Sequence, residues 1–144
     1  MKKMLFYFMC VSAIVIITIA IIYLSEKDSK INISFLKSYG WEVSREALET
    51  EEIKIPETFD DVYNNYNRLQ LQAGLDLRNY KGKKAVRYTY SVLNYPIATA
   101  ENVRANLICV KGKPVAGDIM TVSLDGFMHS LNFPPAVTNE NKQE

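Results

Sequence analysis

Residues 4–25 carry no charged side chain, and most of these 22 residues are Ile, Val, Leu, Phe or Ala. A helix rises about 1.5 Å per residue, so the stretch matches a hydrocarbon core of about 30 Å. Tyr7 and Tyr23 stand near its ends, where amphipathic rings favour the headgroup level. A cleaved signal peptide would have a shorter apolar core, about 7–15 residues, ahead of a small-residue cleavage site. The candidate site at Thr18 to Ala20 is instead followed by more apolar residues. Cys10 comes too early for a lipidated cysteine and lacks the small residues expected before one. The segment therefore reads as an uncleaved anchor. Lys2 and Lys3 precede it, while Glu26, Lys27, Asp28 and Lys30 follow as a mixture. That bias puts the amino terminus in the cytoplasm and the rest of the chain outside the membrane.

The part after residue 25 holds 15 Lys and Arg against 16 Asp and Glu. A net charge near zero argues against nucleic-acid binding, which needs a basic surface. Cys109 is the one cysteine in this part, so no internal disulfide forms, and its apolar neighbours make it a buried small hydrophobe. Three regions follow: a stub and anchor at 1–25, an extracytoplasmic domain at 26–131 and a disordered tail at 132–144.

Along the domain, Ile31, Phe35, Leu36 and Tyr39 predict a short helix ended by Gly40. Strands are expected near 53–55 and 41–44, with the intervening Arg45 to Glu49 open to one helical turn. Residues 59–73 make the clearest helix. Thr58 and Asp61 match a capping box, and Phe59, Val62, Tyr63, Tyr66, Leu69, Gln70 and Ala73 recur at helical spacing. Asn64, Asn65, Asn67, Arg68 and Gln72 fall on the opposite face. Gly74 suits the left-handed stop, with Leu75 packing back. The period then switches to two. Val86, Tyr88, Tyr90 and Val92 alternate with Arg87, Thr89 and Ser91, and Val103, Ala105, Leu107 and Cys109 share a face. Gly112 suits the turn to a third strand, where Gly117 marks a bulge. Asp125 and Gly126 signal another turn. One amphipathic helix and one half-apolar antiparallel sheet can bury each other. The fold class is α+β: a transmembrane helix, then a two-layer domain with one long helix on an antiparallel sheet, an arrangement similar to that of cystatins.

The stretch 74–96 combines Arg78, Lys81, Lys83, Lys84 and Arg87 with Tyr80, Tyr88 and Tyr90, and no acid appears between Asp76 and Glu101. Aromatic and β-branched residues suit a half-buried strand, and tyrosine hydroxyls reach its rim. The cations, with rim Tyr80, Tyr88 and Tyr90, form the first candidate for partner contact. Residues 42–61 have the opposite bias, eight acids against Arg45 and Lys54. The positive stretch could meet an anionic partner, pair with this acidic segment, or stay solvated.

The run from Val62 to Tyr90, with Asn94-Tyr95-Pro96 and the later segment from Gly117 to Leu131, resembles an uncharacterised family, domain of unknown function 4830. Members are short proteins of Gram-positive bacteria, often with one amino-terminal membrane segment. The resemblance spans about 35–131. It implies a fold and a location but no activity, and it transfers no site residues.

A catalytic set is hard to assemble. His129 is the one histidine; with Asp118 or Asp125 and Ser123 it supplies triad residue types by inventory alone, without a nucleophile elbow. One histidine and one outer cysteine do not make a common zinc site, and no calcium loop or phosphate loop is present. No cofactor is expected. Trp41, the tyrosines and the Asn-rich helix face would suit a glycan or peptide, or simply a solvated surface. The reading is a single-pass protein with a non-catalytic binding or interaction domain. Its partners beyond the membrane would be an envelope protein, anionic lipid or wall polymer. The alternative is a small membrane-bound hydrolase acting on wall or peptide through His129.

Overall fold

The computed structural model describes residues 2–96, 102–123 and 126–132. Its first element, α1 (Lys2–Ser38), is one unbroken helix. From Phe6 to Ser38 it is long and apolar enough to cross a membrane, with a mean hydropathy of 2.6 in its most apolar window. Ile14, Ile16, Ile19 and their neighbours point away from the protein. Ser12 and Thr18 turn their hydroxyls back onto the carbonyls of Met9 and Ile14, which satisfies them without water.

The expected short helix after the apolar stretch is the far end of this same helix. There the exposed cylinder becomes a docked one. Leu36 is fully buried and Asn32 is 1 % exposed, with Ile33, Phe35 and Tyr39 packed around them. Ile31, expected to point inward, is exposed. Gly40, at φ 92°, turns the chain out of the helix, a conformation open to glycine at no steric cost. Trp41 then folds under α1, and its Nε1 donates to the Leu131 carbonyl.

The remaining elements are β1 (Glu49–Lys54), α2 (Asp61–Gln72), a 3-10 turn (Leu77–Tyr80), β2 (Lys84–Ser91), β3 (Val103–Val110), β4 (Lys113–Thr121) and β5 (Met128–His129). The strands form one antiparallel sheet in the order β1-β2-β3-β4-β5. Near the expected strand at 41–44 there is an isolated bridge, Val43 with Val92. Residues 45–48 form bends rather than a helical turn. The edge strand β1 carries Glu49, Glu51, Glu52 and Lys54, charges that discourage further strand addition.

Both faces of the sheet are covered. Tyr90, Ala105, Leu107, Cys109 and Ile119 pack with Leu36, Trp41 and Leu131 on the α1 side. Ala85, Ile108, Val110 and Ala116 pack with Ile55, Phe59 and Leu77 on the other, beneath Tyr63 and Tyr66 of α2. The expected single helical layer is joined by a second, the end of α1. β3 carries the reason: its last four residues, Leu107 to Val110, are all buried, and a continuous apolar run suits a strand covered twice.

The bulge lies near Val115 rather than at Gly117. Leu107 faces Gly117 and Ile108 faces Ala116, but Cys109 faces Pro114. Val115 is the extra residue, so it and Ala116 both join the α2-side core. Gly117 serves close approach instead. A Cβ there would lie 2.6 Å from the Asn106 carbonyl oxygen, and its N–H donates to Gln70 Oε1 at 2.7 Å.

α2 begins where expected but is capped differently. Asp60, not Thr58, accepts from the Tyr63 N–H at 2.8 Å. The helix sits slightly rotated from its apolar stripe: Val62 is 72 % exposed, and Asn67, expected outside, is 3 % exposed. Asn67 fits inside because it is satisfied, accepting from Leu77 N–H and donating to Asp76 Oδ1. A buried amide with partners avoids the desolvation cost of one without. Gly74 ends the helix at φ 75°, and Leu75 returns its N–H to Gln70. The expected disordered tail, apart from its first residue Asn132, lies outside the described residues.

Candidate functional site

The eight residues singled out in 74–96 do not form one patch. Arg78, in the 3-10 turn, forks onto Asp76 through Nε and Nη2. That hydrogen bond, helped by Asn67 and the Arg78 N–H, holds the Asp76 carboxyl well below the usual range. Tyr80 packs half-buried against the α2-side core. Lys81 places Nζ 4.8 Å above the Phe59 ring. Arg87 pairs with Glu51 directly across the β1–β2 ladder, so part of the acidic segment does neutralise part of the basic one. Lys83 and Lys84 are exposed and make no ion pair among the described residues.

Tyr88 and Tyr90 lie on the sheet face toward α1. Tyr90 is a correction: it is 1 % exposed, not a rim residue, and its hydroxyl accepts from Asn32 Nδ2 at 3.1 Å. The end of α1, expected to form an element of its own, covers it. Trp41 is likewise 1 % exposed and offers no ring face to a glycan. Tyr88 keeps a partly open position. Its hydroxyl donates to Asp28 Oδ2 at 3.3 Å, and burial, with the Asp28 charge, pushes it up to about 12.

Lys84 and Tyr88 help to line an open groove of about 490 Å³ where α1 meets the sheet. Val86, Tyr88 and Cys109 supply its lining from the strands, Asp28 stands on α1, and Glu52 and Lys54 stand on β1. Lys111 and Gly112, the β3–β4 turn, complete the lining. β1–β2 register sets Glu52 opposite Val86 and Lys54 opposite Lys84, so alternation puts all four on one face. Cys109 adds no reactivity. Its thiol donates to Asn32 Oδ1 at 3.3 Å, and burial, with the Asp28 charge, pushes it up to about 12. A thiolate is the reactive form. The groove thus joins apolar surface to the ammonium groups of Lys54, Lys84 and Lys111 and the carboxylates of Asp28 and Glu52. Asp28, Glu52, Lys54 and Lys111 had no signal in sequence, because they meet only through strand register and helix docking.

Among the described residues the triad residue types are not assembled. His129 has Nε2 3.2 Å from the Tyr95 hydroxyl and Nδ1 2.7 Å from the Ser130 carbonyl, within a stack of Trp41, Tyr95 and Phe127 rings. Asp118 is 2 % exposed and accepts from Tyr66 Oη at 2.8 Å and Asn106 Nδ2 at 2.9 Å. Burial raises its pKa. Ser123 pairs with Thr121, and Asp125 lies outside the described residues. No cluster of three His, Cys, Asp or Glu able to hold a metal occurs among the described residues.

These features define a small α+β domain built directly onto an apolar amino-terminal helix, with an open groove at the junction. Residues 35–119 match the family described as Domain of unknown function (DUF4830), and the chain belongs to that family. The match begins in the docked end of α1 and closes in β4. Neither the curated proteins nor the solved structures gave a match.

Proposed function

We propose that this chain is a single-pass membrane protein whose α+β domain lies outside the cell and acts as a non-catalytic binding module. The observation that supports it best is the continuity of α1. The apolar stretch passes without a break into a helix end buried in the domain core at Asn32 and Leu36. A domain joined in this way has a set height and orientation over a bilayer, unlike one carried on a flexible linker. Lys2 and Lys3 ahead of the apolar stretch support a cytoplasmic amino terminus. The partner class is an envelope component: a protein, anionic lipid or wall polymer, met through the exposed lysines of the 81–84 turn and the groove beside it.

Protease treatment of intact cells tests the topology. It is expected to remove the domain and leave the apolar helix with the cells; full protection, with cleavage only in inverted vesicles, would overturn the orientation. Cross-linking in native membranes followed by mass spectrometry tests the binding role. A partner linked through Lys81, Lys83 or Lys84 is expected, and its yield should fall when all three are changed to Glu. Undiminished yield from a folded triple variant would remove the turn from the contact surface.

A further inference from the structure

We infer that the β3–β4 turn and the basic rim of the groove rest on anionic phospholipid headgroups. The inference deepens the membrane-anchored reading above and rests on it. The argument starts from height. The uncharged stretch ends at Ser25, and three further residues of helix raise Asp28 only about 5 Å. Headgroup layers extend a bilayer from about 30 Å to about 40–45 Å in all, so Asp28 stands within or at the outer edge of that layer. The far end of the sheet is held at the same level. Tyr88 Oη donates to Asp28 at 3.3 Å, and a Cβ on Gly112 would lie 3.5 Å from Asp28 Oδ1. Because α1 is unbroken between Ser25 and Asp28, the turn cannot swing away from the surface while the domain stays docked.

The charges at this level favour an anionic surface. Lys27 and Lys30 on α1, Lys84 on β2, and Lys111 and Lys113 flanking Gly112 form no ion pair among the described residues. The opposing groups are Glu26, Asp28, Glu52 and Glu57. Of these, Glu57 is matched with Lys54 at 2.9 Å, which leaves Glu26, Asp28 and Glu52 against the five lysines. The surplus is cationic, although the segment after residue 25 is near neutral overall. Basic groups close to a membrane surface gain from anionic lipid and lose that gain with salt. The groove beside them, with Val86 and Tyr88 in its lining, leaves room of about 490 Å³ for headgroup atoms between α1 and β1.

The test uses the full chain in lipid nanodiscs, either purely zwitterionic or containing anionic phosphatidylglycerol, with amide hydrogen exchange as the readout. The amides of Lys111 and Gly112 are expected to exchange several-fold more slowly in the anionic discs, and added salt should reverse the change. A Lys84→Glu, Lys111→Glu, Lys113→Glu variant should lose the lipid dependence, while β3 stays protected as proof of folding. Equal exchange in both discs would overturn the inference, as would a lipid effect that survives the charge reversal. Inorganic phosphate producing the same slowing in zwitterionic discs would assign the site to free anions and overturn the lipid assignment. Failure of the chain to incorporate into either disc would sink the anchored reading together with this one, whereas incorporation without a lipid response sinks this one alone.

Discussion

Gly117 has no room for a methyl group. A Cβ would meet the Asn106 carbonyl oxygen at 2.6 Å, Leu107 Cδ2 at 2.8 Å and Leu131 Cδ1 at 3.0 Å. Gly117→Ala is therefore expected to destabilise the domain by about 1–3 kcal/mol, the usual cost of overpacking, read as a lower urea midpoint with an unchanged slope. Two carboxylates give opposite pH signatures. Burial raises Asp118 in the folded state, so the unfolded chain gives up its proton first. Its contribution to stability is greatest in acid, below the unfolded value, and is lost as pH rises through the folded value. Asp76 is lowered, chiefly by Arg78; its contribution is present above the unfolded value and lost as pH falls through the folded one. The stability gap between wild type and Asp118→Asn should thus shrink from about pH 3 to about pH 7, and that for Asp76→Asn should grow over the same range. Denaturant titrations across that range check both, and gaps of the same sign of slope would refute the assignment. Nothing in the sequence marked Asp118 as buried or separated Asn67 from its exposed neighbours, because a buried polar residue is selected by partners that sequence does not display.

At the scale of elements, α2 was legible as a helix but not in its phase. The stripe from Phe59 to Ala73 set its extent within two residues, and Gly74 set its end. Which residue caps it depended on backbone geometry: Asp60 is extended, at φ −77° and ψ −175°, and its carboxylate reaches Tyr63 N. Asp60→Ala should cost about 1 kcal/mol, a typical loss for a capping residue, while Thr58→Ala should change little; thermal or urea unfolding of the pair distinguishes the two caps. β3 shows the same division. Its period-two face was visible, but burial on both faces required two layers: α2 and its neighbours cover Ile108 and Val110, and the docked end of α1 covers Leu107 and Cys109.

For the whole molecule, the decisive feature is that one helix serves two environments. Its first part exposes apolar side chains, and its end lies in the core. Cys109 sits under that end, 3 % exposed, with its thiol pushed up to about 12. A maleimide at neutral pH is expected to leave Cys109 unmodified until denaturant opens the domain, and prompt labelling in the native state would contradict the docking of α1. The order of pieces along the chain, the apolar stretch, the turns at Gly40, Gly74 and Gly112, and the change from helical to strand period were all settled by sequence. These follow from rotamer, backbone and hydrophobic preferences that act over a few residues. The groove, the burial of Tyr90 and the second helical layer were settled only by tertiary structure. They depend on meetings such as Asp28 with Tyr88, 60 positions apart, and Asn32 with Cys109, 77 apart. No local preference encodes such a pair, since it forms only when helix docking and strand register are satisfied together.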